Sequence, residues 1–572
     1  MNGRGPLPIV IGVVGHRDLR PEDVPALEEQ VRLELRRLKG AYPNTPLLVL
    51  TSLAIGADRL AARVATSEDI SLVVPLPLKP EEFERDFPDS NLLAEFRSLR
   101  DRALHSFFVG YVPGNDDSNV IEPARRDMQY AQVGSYISRN SHLLIALWNG
   151  LPSTNVGGTA QVVAFKLEGR AAGFAPPPRP LDLPENGPVC QIVTPRLSDP
   201  RTNPQTPLVR VRRFPERTIE PPESKGDPFD DDDLTKAVYT AVDRFNKDAL
   251  SLGMSEAELT PVCIRSAAER LAKRYQKWKL RTLTALHCIG LVAAGFFLWY
   301  RDFAISGGIL IAYVAFSALA MAVYWLGRAV QLDNRYQDYR ALAEGLRIQD
   351  RWQQANIRET VADHYMRQHR GELDWIRNAI RVCRLLDDSV AFIDPRTALP
   401  AAKARLEQSS REWIDEQIGY FRKRAVDEEG NDRMFRRISR IALGVSFLCV
   451  VMLGVFHGLA GKMNHELFLK EGVLWKGTIF AAAMTAVVSG LSANYSEQRA
   501  FAQHAKQFRR MHEVFTAAAL MLQGIFRREP FEIEDYTACQ AVIKDLGEEA
   551  LAENSTWLMY HRDRPLQFVS GA

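Results

Sequence analysis

The hydrophobic pattern changes character part-way along the 572 residues. Through residue 172, short apolar runs alternate with stretches whose apolar residues recur at helical spacing. Beyond residue 263, long unbroken apolar runs occur in two pairs, at 283–300 with 303–326 and at 441–460 with 475–493. At about 1.5 Å rise per residue, runs of roughly 18–24 residues reach about 27–36 Å, and the hydrocarbon core of a bilayer is about 30 Å thick. Each pair therefore reads as a membrane hairpin.

In the first part, strands are expected at 8–15, 47–53, 71–78, 106–112 and 142–148. Helices are expected at 22–39, where Val24, Leu27, Val31, Leu35 and Leu38 share one face, at 57–65, at 124–140 and from 158 onward. Such alternation predicts an α/β, Rossmann-like, doubly wound sheet, followed by an all-α region with four transmembrane helices. Ligands in doubly wound sheets sit beyond the carboxyl ends of the strands. The candidate chemistry is found at three such ends: Gly15-His16-Arg17, then Ser52 with Gly56-Ala57-Asp58-Arg59, then Gly157-Gly158-Thr159. Glycines let backbone approach a phosphate, and the helix that follows offers free N–H groups. Arg17 and Arg59 are candidates for charge-assisted hydrogen bonds, and Asp58 for accepting from a ribose hydroxyl. The plainer alternatives stay open: Gly15 and Gly56 as ordinary turns, His16 as a packing or capping residue.

Residues 173–262 read as a proline-rich connection holding an edge strand at 189–194 and a helix at 234–252, with the acidic run at 230–233 as its cap. The net charge of +2 gives no field suited to nucleic acid, and six scattered cysteines suggest neither a disulfide frame nor a metal site. The opening MNGRGPLPIVIGVVG reads as a first strand and lacks the pattern of a leader peptide.

Arginines and lysines flank the apolar runs on one side, at 270–281, 328–340, 433–440 and 499–510. The positive-inside rule then places the soluble domain, the central segment and both termini in the cytoplasm; the membrane expected is the inner membrane of a cell, as the resemblance below implies. Few polar residues interrupt the runs, chiefly Thr284, His287, Ser317, Ser446 and His457, so a pump-like relay is disfavoured. The last run carries stripes of small residues, Gly477, Ala481, Thr485 and Ser489 beside Ala482, Ala486 and Gly490. These suit close helix packing, within one chain or between subunits. Helix, hairpin, helix occurs twice, which suggests a blurred twofold repeat.

GHRDL, SLAIGADRLAA, VVPLPL…FERDFPDSN, LIALWNG and GGTAQVV follow one another in the order of SLOG domains, which the first part resembles. The resemblance implies a Rossmann-like domain that senses or cleaves nucleotides. Phosphoribohydrolase members carry a glutamate where this chain has Val162, which argues for binding without hydrolysis; Glu122 and Asp127 are the remaining acid–base candidates. YRALAEGLRIQDRW and REWIDEQIGYFRKRA, each beside a hairpin, resemble the SLATT family of two-span domains. That resemblance implies units at 263–430 and 431–572, pore formation, antiphage defence and a neighbouring nucleotide-signal synthase. The combined expectation is a homo-oligomeric membrane effector, not an enzyme. It would be gated by a nucleotide second messenger of ADP-ribose or cyclic type, with neither catalytic cofactor nor metal. A membrane-anchored nucleotide or NAD hydrolase and a constitutive channel are the alternatives.

Overall fold

A computed structural model describes residues 3–87, 89–175, 183–198, 210–214, 232–255, 259–303, 305–366, 371, 373–387, 393–463 and 472–562. In chain order the elements begin β1 (Ile9–Gly15), α1 (Val24–Ala41), β2 (Leu47–Leu50), α2 (Ala57–Ser67), β3 (Ser71–Leu76), α3 (Pro80–Phe83), α4 (Ser90–Asp101) and β4 (His105–Phe108). Then follow α5 (Pro123–Asn140), β5 (Leu143–Trp148), α6 (Thr159–Glu168), β6 (Val189–Val193), β7 (Arg210–Arg213) and α7 (Asp233–Leu250). The remaining helices are α8 (Pro261–Asp302), α9 (Gly307–Ala329), α10 (Leu332–Gln354), α11 (Asp374–Leu385), α12 (Leu399–Met463), α13 (Val473–Arg499), α14 (Phe501–Phe526) and α15 (Ile533–Arg562).

Two compact units result, Met1–Ala267 with Thr360–Ala391 and Ala268–Glu359 with Phe392–Ala572. This division departs from the expected boundaries at 172, 262 and 430. The described residues of 173–262 belong with the sheet: β6 and β7 extend it, and Asn246 of α7 bonds both the amide and the carbonyl of Leu7 just before β1. Thr360–Ala391 also returns to the sheet, where Arg377 and Arg381 of α11 reach Glu185.

The sheet runs β4-β3-β2-β1-β5-β6-β7 and is parallel except for β7. Its central strands, IVIGVVG and LLIALW, are apolar along nearly their whole length because helices cover both faces. Chain direction across the sheet reverses between β1 and β5, whose register pairs Gly15 with Leu147. β6 is not the edge strand expected at 189–194, since the arginine-rich β7 pairs outside it. Helices α3 and α4 lie in a stretch for which the sequence pattern predicted no element. Asp232 caps α7 by accepting from the Thr235 amide, while Asp230 and Asp231 lie outside the described residues.

In the helical unit, α8 and α12 run without a break from polar beginnings into apolar segments. The charged stretch 411–424 is thus part of the 65-residue α12. Among the described residues, four helices are long and apolar enough to cross a membrane. Only 28% of the apolar window in α8 is buried, and 6% in each of the other three. These surfaces are therefore not the core of a water-soluble bundle. The second helix of each hairpin ends in a single left-handed residue, Gln331 (φ 54°) or Ala500 (φ 52°), before α10 or α14 begins. Within the chain, Ser489 Oγ donates to the Ser439 carbonyl at 2.9 Å, and Ser446 Oγ to that of Ala482 at 2.8 Å. Those stripe positions pack internally, whereas Gly477 and Gly490 have no neighbour within 4 Å of an added Cβ. His287 packs too, with Nε2 3.1 Å from Asn494 Oδ1.

Candidate functional site

The carboxyl ends of β1 and β5 flank the point where strand order reverses, the place a doubly wound sheet offers a ligand. His16 ties the two ends together. Its amide donates to the Leu147 carbonyl at 3.1 Å, and its Nε2 accepts from the Asn149 amide at 3.1 Å. Its carbonyl receives the Ala57 amide, which draws the start of α2 against β1. Gly15 serves the same approach: a Cβ there would lie 2.3 Å from that of Ala57. Both residues thus shape the edge through backbone and packing.

Gly56 caps α2 without any side-chain hydrogen bond, leaving first-turn amides free of a side-chain acceptor. Its φ of +88° is unsuited to other residues, and an added Cβ would lie 2.5 Å from the Arg17 carbonyl. Just before it, Leu53 holds φ 58°, a costly conformation for a bulky side chain. The Leu53 carbonyl is held at 3.1 Å by Arg59 Nε.

Arg59 therefore does not supply a charge to the edge. It is 1% exposed, bonds the Leu92 carbonyl and Glu95, and stacks 4.3 Å over Phe87. It positions the turn from within. Asp58 is buried as well and accepts from Ser52 Oγ at 2.8 Å. Burial pushes its carboxyl up to about 6, opposed by the Ser52 and Thr51 hydroxyls, the Ala54 amide and the charge of Arg17.

On the other side, Gly158 caps α6, again with no side-chain hydrogen bond, and Thr159 is the first helical residue. Gly157 has φ +75°, and a Cβ there would lie 2.8 Å from both the Asp127 carbonyl and Tyr130 Cβ. Tyr130 links the two halves, because the exposed Arg17 guanidinium lies 4.5 Å over its ring. Among the described residues Arg17 makes no ion pair. Tyr130 donates to Asp86, which Arg126 also holds at 2.6 Å. On the far flank, Arg213 bonds Gln191 at 2.6 Å and lies 5.6 Å over Trp148.

Tyr130, Asp86, Arg126 and Arg213 were not among the expected site residues. Asp86 does fall in the FERDFPDSN motif, which signalled it; the others carry no local mark. Val162 faces α5, with Cγ2 2.4 Å from where a Gly134 Cβ would sit. Glu122 and Asp127 are exposed on α5 and its cap.

A separate cavity of about 120 Å³ opens at the amino end of the sheet, lined in part by Arg139, His142, Lys166, Glu185 and Arg381. Lys166 donates to the Ser138 and Ser141 carbonyls, and burial with the nearby Arg381 charge lowers it to about 7. His142 accepts from the Val10 amide, and burial lowers it to about 3. Although burial pushes Glu185 up, Arg381, Arg377 and Arg139 hold its carboxyl well below the usual range. These groups are occupied in fastening α11 and the strand starts. Among the described residues no group of three or more His, Cys, Asp or Glu is placed to hold a metal ion.

No known family, curated protein or solved structure matches this chain. Two helix starts capped by glycines, a cation without a salt bridge and a buried carboxyl flank one sheet edge; of the backbone amides there, Ala57 donates to the His16 carbonyl and Gly157 to Gln161 Oε1 at 2.7 Å, which leaves those further into the first turns. Together they suit a small anion that also carries hydroxyls.

Proposed function

We propose that this chain is a nucleotide-gated membrane effector of the SLOG–SLATT kind. A nucleotide second messenger of ADP-ribose or cyclic type settles on the amides at the starts of α2 and α6. Arg17 adds a charge-assisted bond to phosphate, and Asp58 accepts from a ribose hydroxyl. The observation that carries the reading is that this edge and four largely uncovered apolar helices belong to one chain. In this proposal the soluble domain faces the cytoplasm of a bacterium. Copies assemble, and ligand binding drives the hairpins to permeabilise the inner membrane, as an antiphage response to a signal from a partner synthase. A hundredfold preference of ligand for the active assembly supplies about 2.7 kcal/mol per site, so several sites sharpen the switch.

The test is a thermal-shift screen of the full chain in detergent against ADP-ribose and cyclic mono- and dinucleotides. A stabilising hit is expected, lost in Arg17→Ala and in Gly158→Asp, which sets a carboxylate where phosphate belongs. No hit, or a hit indifferent to both variants, contradicts the reading. The raised Asp58 carboxyl favours one second reading, a nucleotide or NAD hydrolase with Asp58 as its acid. Steady product formation abolished in Asp58→Asn would support it, whereas Val162 packed against Gly134 stands where a hydrolase glutamate would be needed.

A further inference from the structure

In the helical unit a cleft of about 570 Å³ opens between α8 and the end of α13. Lys273, Lys277 and Arg281 line it at four-residue spacing, which places them on one stripe of α8, and Arg499 faces them from α13. Among the described residues, Lys273, Lys277 and Arg281 form no salt bridge, whereas Lys279 on the same helix pairs with Asp333 at 2.6 Å. Arg499 is held toward Tyr495, donating to its hydroxyl at 3.3 Å. Tyr495 in turn stands 3.4 Å from Thr284 Oγ1, joining the two walls. Beyond Arg281 the same stripe of α8 continues through Thr284 into Ala285 and Cys288. That continuation falls where the first apolar run begins, and Arg499 follows the end of the last one.

Four cations line the cleft and no carboxylate does, while Glu428, whose charge Arg499 also feels, is paired with Arg424 at 2.9 Å; such a lining suits a phosphate. A soluble phosphate would make no use of the apolar continuation. We propose that this cleft is a binding site for an anionic phospholipid. Its headgroup phosphate lies among Lys273, Lys277, Arg281 and Arg499, and an acyl chain follows Ala285 and Cys288. The inference rests on the membrane-spanning reading of the hairpins and not on the nucleotide reading.

The experiment reconstitutes the full chain into vesicles of mixed phosphatidylcholine and phosphatidylglycerol. The chain is then extracted into mild detergent and its retained lipid counted by native mass spectrometry. Phosphatidylglycerol is expected to be retained in preference. The preference should fall roughly fivefold for each of Lys273, Lys277 and Arg281 changed to Ala. Lys273→Arg with Lys277→Arg should preserve it, as should a control carrying Arg433→Ala, Arg437→Ala and Arg440→Ala. Ala285→Trp, which keeps every charge, should weaken lipid retention. Binding of glycerol 3-phosphate as tight as that of the lipid, and untouched by Ala285→Trp, would overturn the lipid assignment. Equal loss in the control would overturn it too, by showing only a general basic belt. A chain that enters vesicles but shows no lipid preference refutes this inference alone. One that fails to enter refutes the membrane reading with it.

Discussion

At Gly56 the backbone leaves no choice of residue. Gly56→Ala must place a Cβ against the Arg17 and His16 carbonyls at a φ that side chains avoid. We expect it to cost on the order of 2 kcal/mol or more in chemical denaturation of the full chain, and to abolish nucleotide stabilisation. Asp58 makes a prediction of opposite sign. Its folded-state carboxyl is raised to about 6 from 3.8, so the folded chain holds a proton that the unfolded chain has lost. Its contribution to stability is therefore full below about pH 4 and is lost as pH rises through about 6. Asp58→Asn should melt with wild type at pH 4 and later than wild type at pH 8, a gap on the order of 2 kcal/mol. Equal melting at both values would show that the carboxyl is not protonated in this way. The glycines were legible because GADR and GGT mark strand-to-helix turns in the sequence itself. The role of Arg59 was not, because nothing local says that Phe87 and Phe96, some thirty residues on, enclose it.

Among the elements, the long helices and central strands were the easiest to read, since their periodicity is sustained and their burial uniform. The misses have physical causes. β7 is four residues long and reads RVRR, so its place comes from pairing with β6 and not from any hydrophobic pattern of its own. α11 is strongly amphipathic, with Trp375, Ile376, Ile380 and Val382 buried, yet amphipathicity names no partner. Its partners are α5 and α7 of the sheet domain: Trp375 meets Phe245 of α7, Arg377 and Arg381 meet Glu185 in the loop before β6, and Asp363 meets both Arg139 of α5 and Arg381. Glu185→Gln removes the charge shared by those arginines and should cost about 3–5 kcal/mol. Limited proteolysis should then cut within 360–391 first. An unchanged cleavage pattern would mean that the cluster does not hold the segment.

For the molecule as a whole, the sequence foretold a sheet domain joined to four apolar helices because both signals are strong and separate. It could not foretell that the chain passes from one unit to the other at Ala267, Glu359 and Ala391. Under the proposed function, those three crossings are the covalent connections through which ligand binding in the sheet domain would reach the hairpins. The most direct measurement is solute efflux from vesicles carrying the full chain, with ADP-ribose and the cyclic nucleotides added in turn. Efflux should begin only with a nucleotide that also stabilises the chain, and Arg17→Ala should silence it while leaving insertion intact. Efflux that proceeds equally with and without every nucleotide would contradict the account.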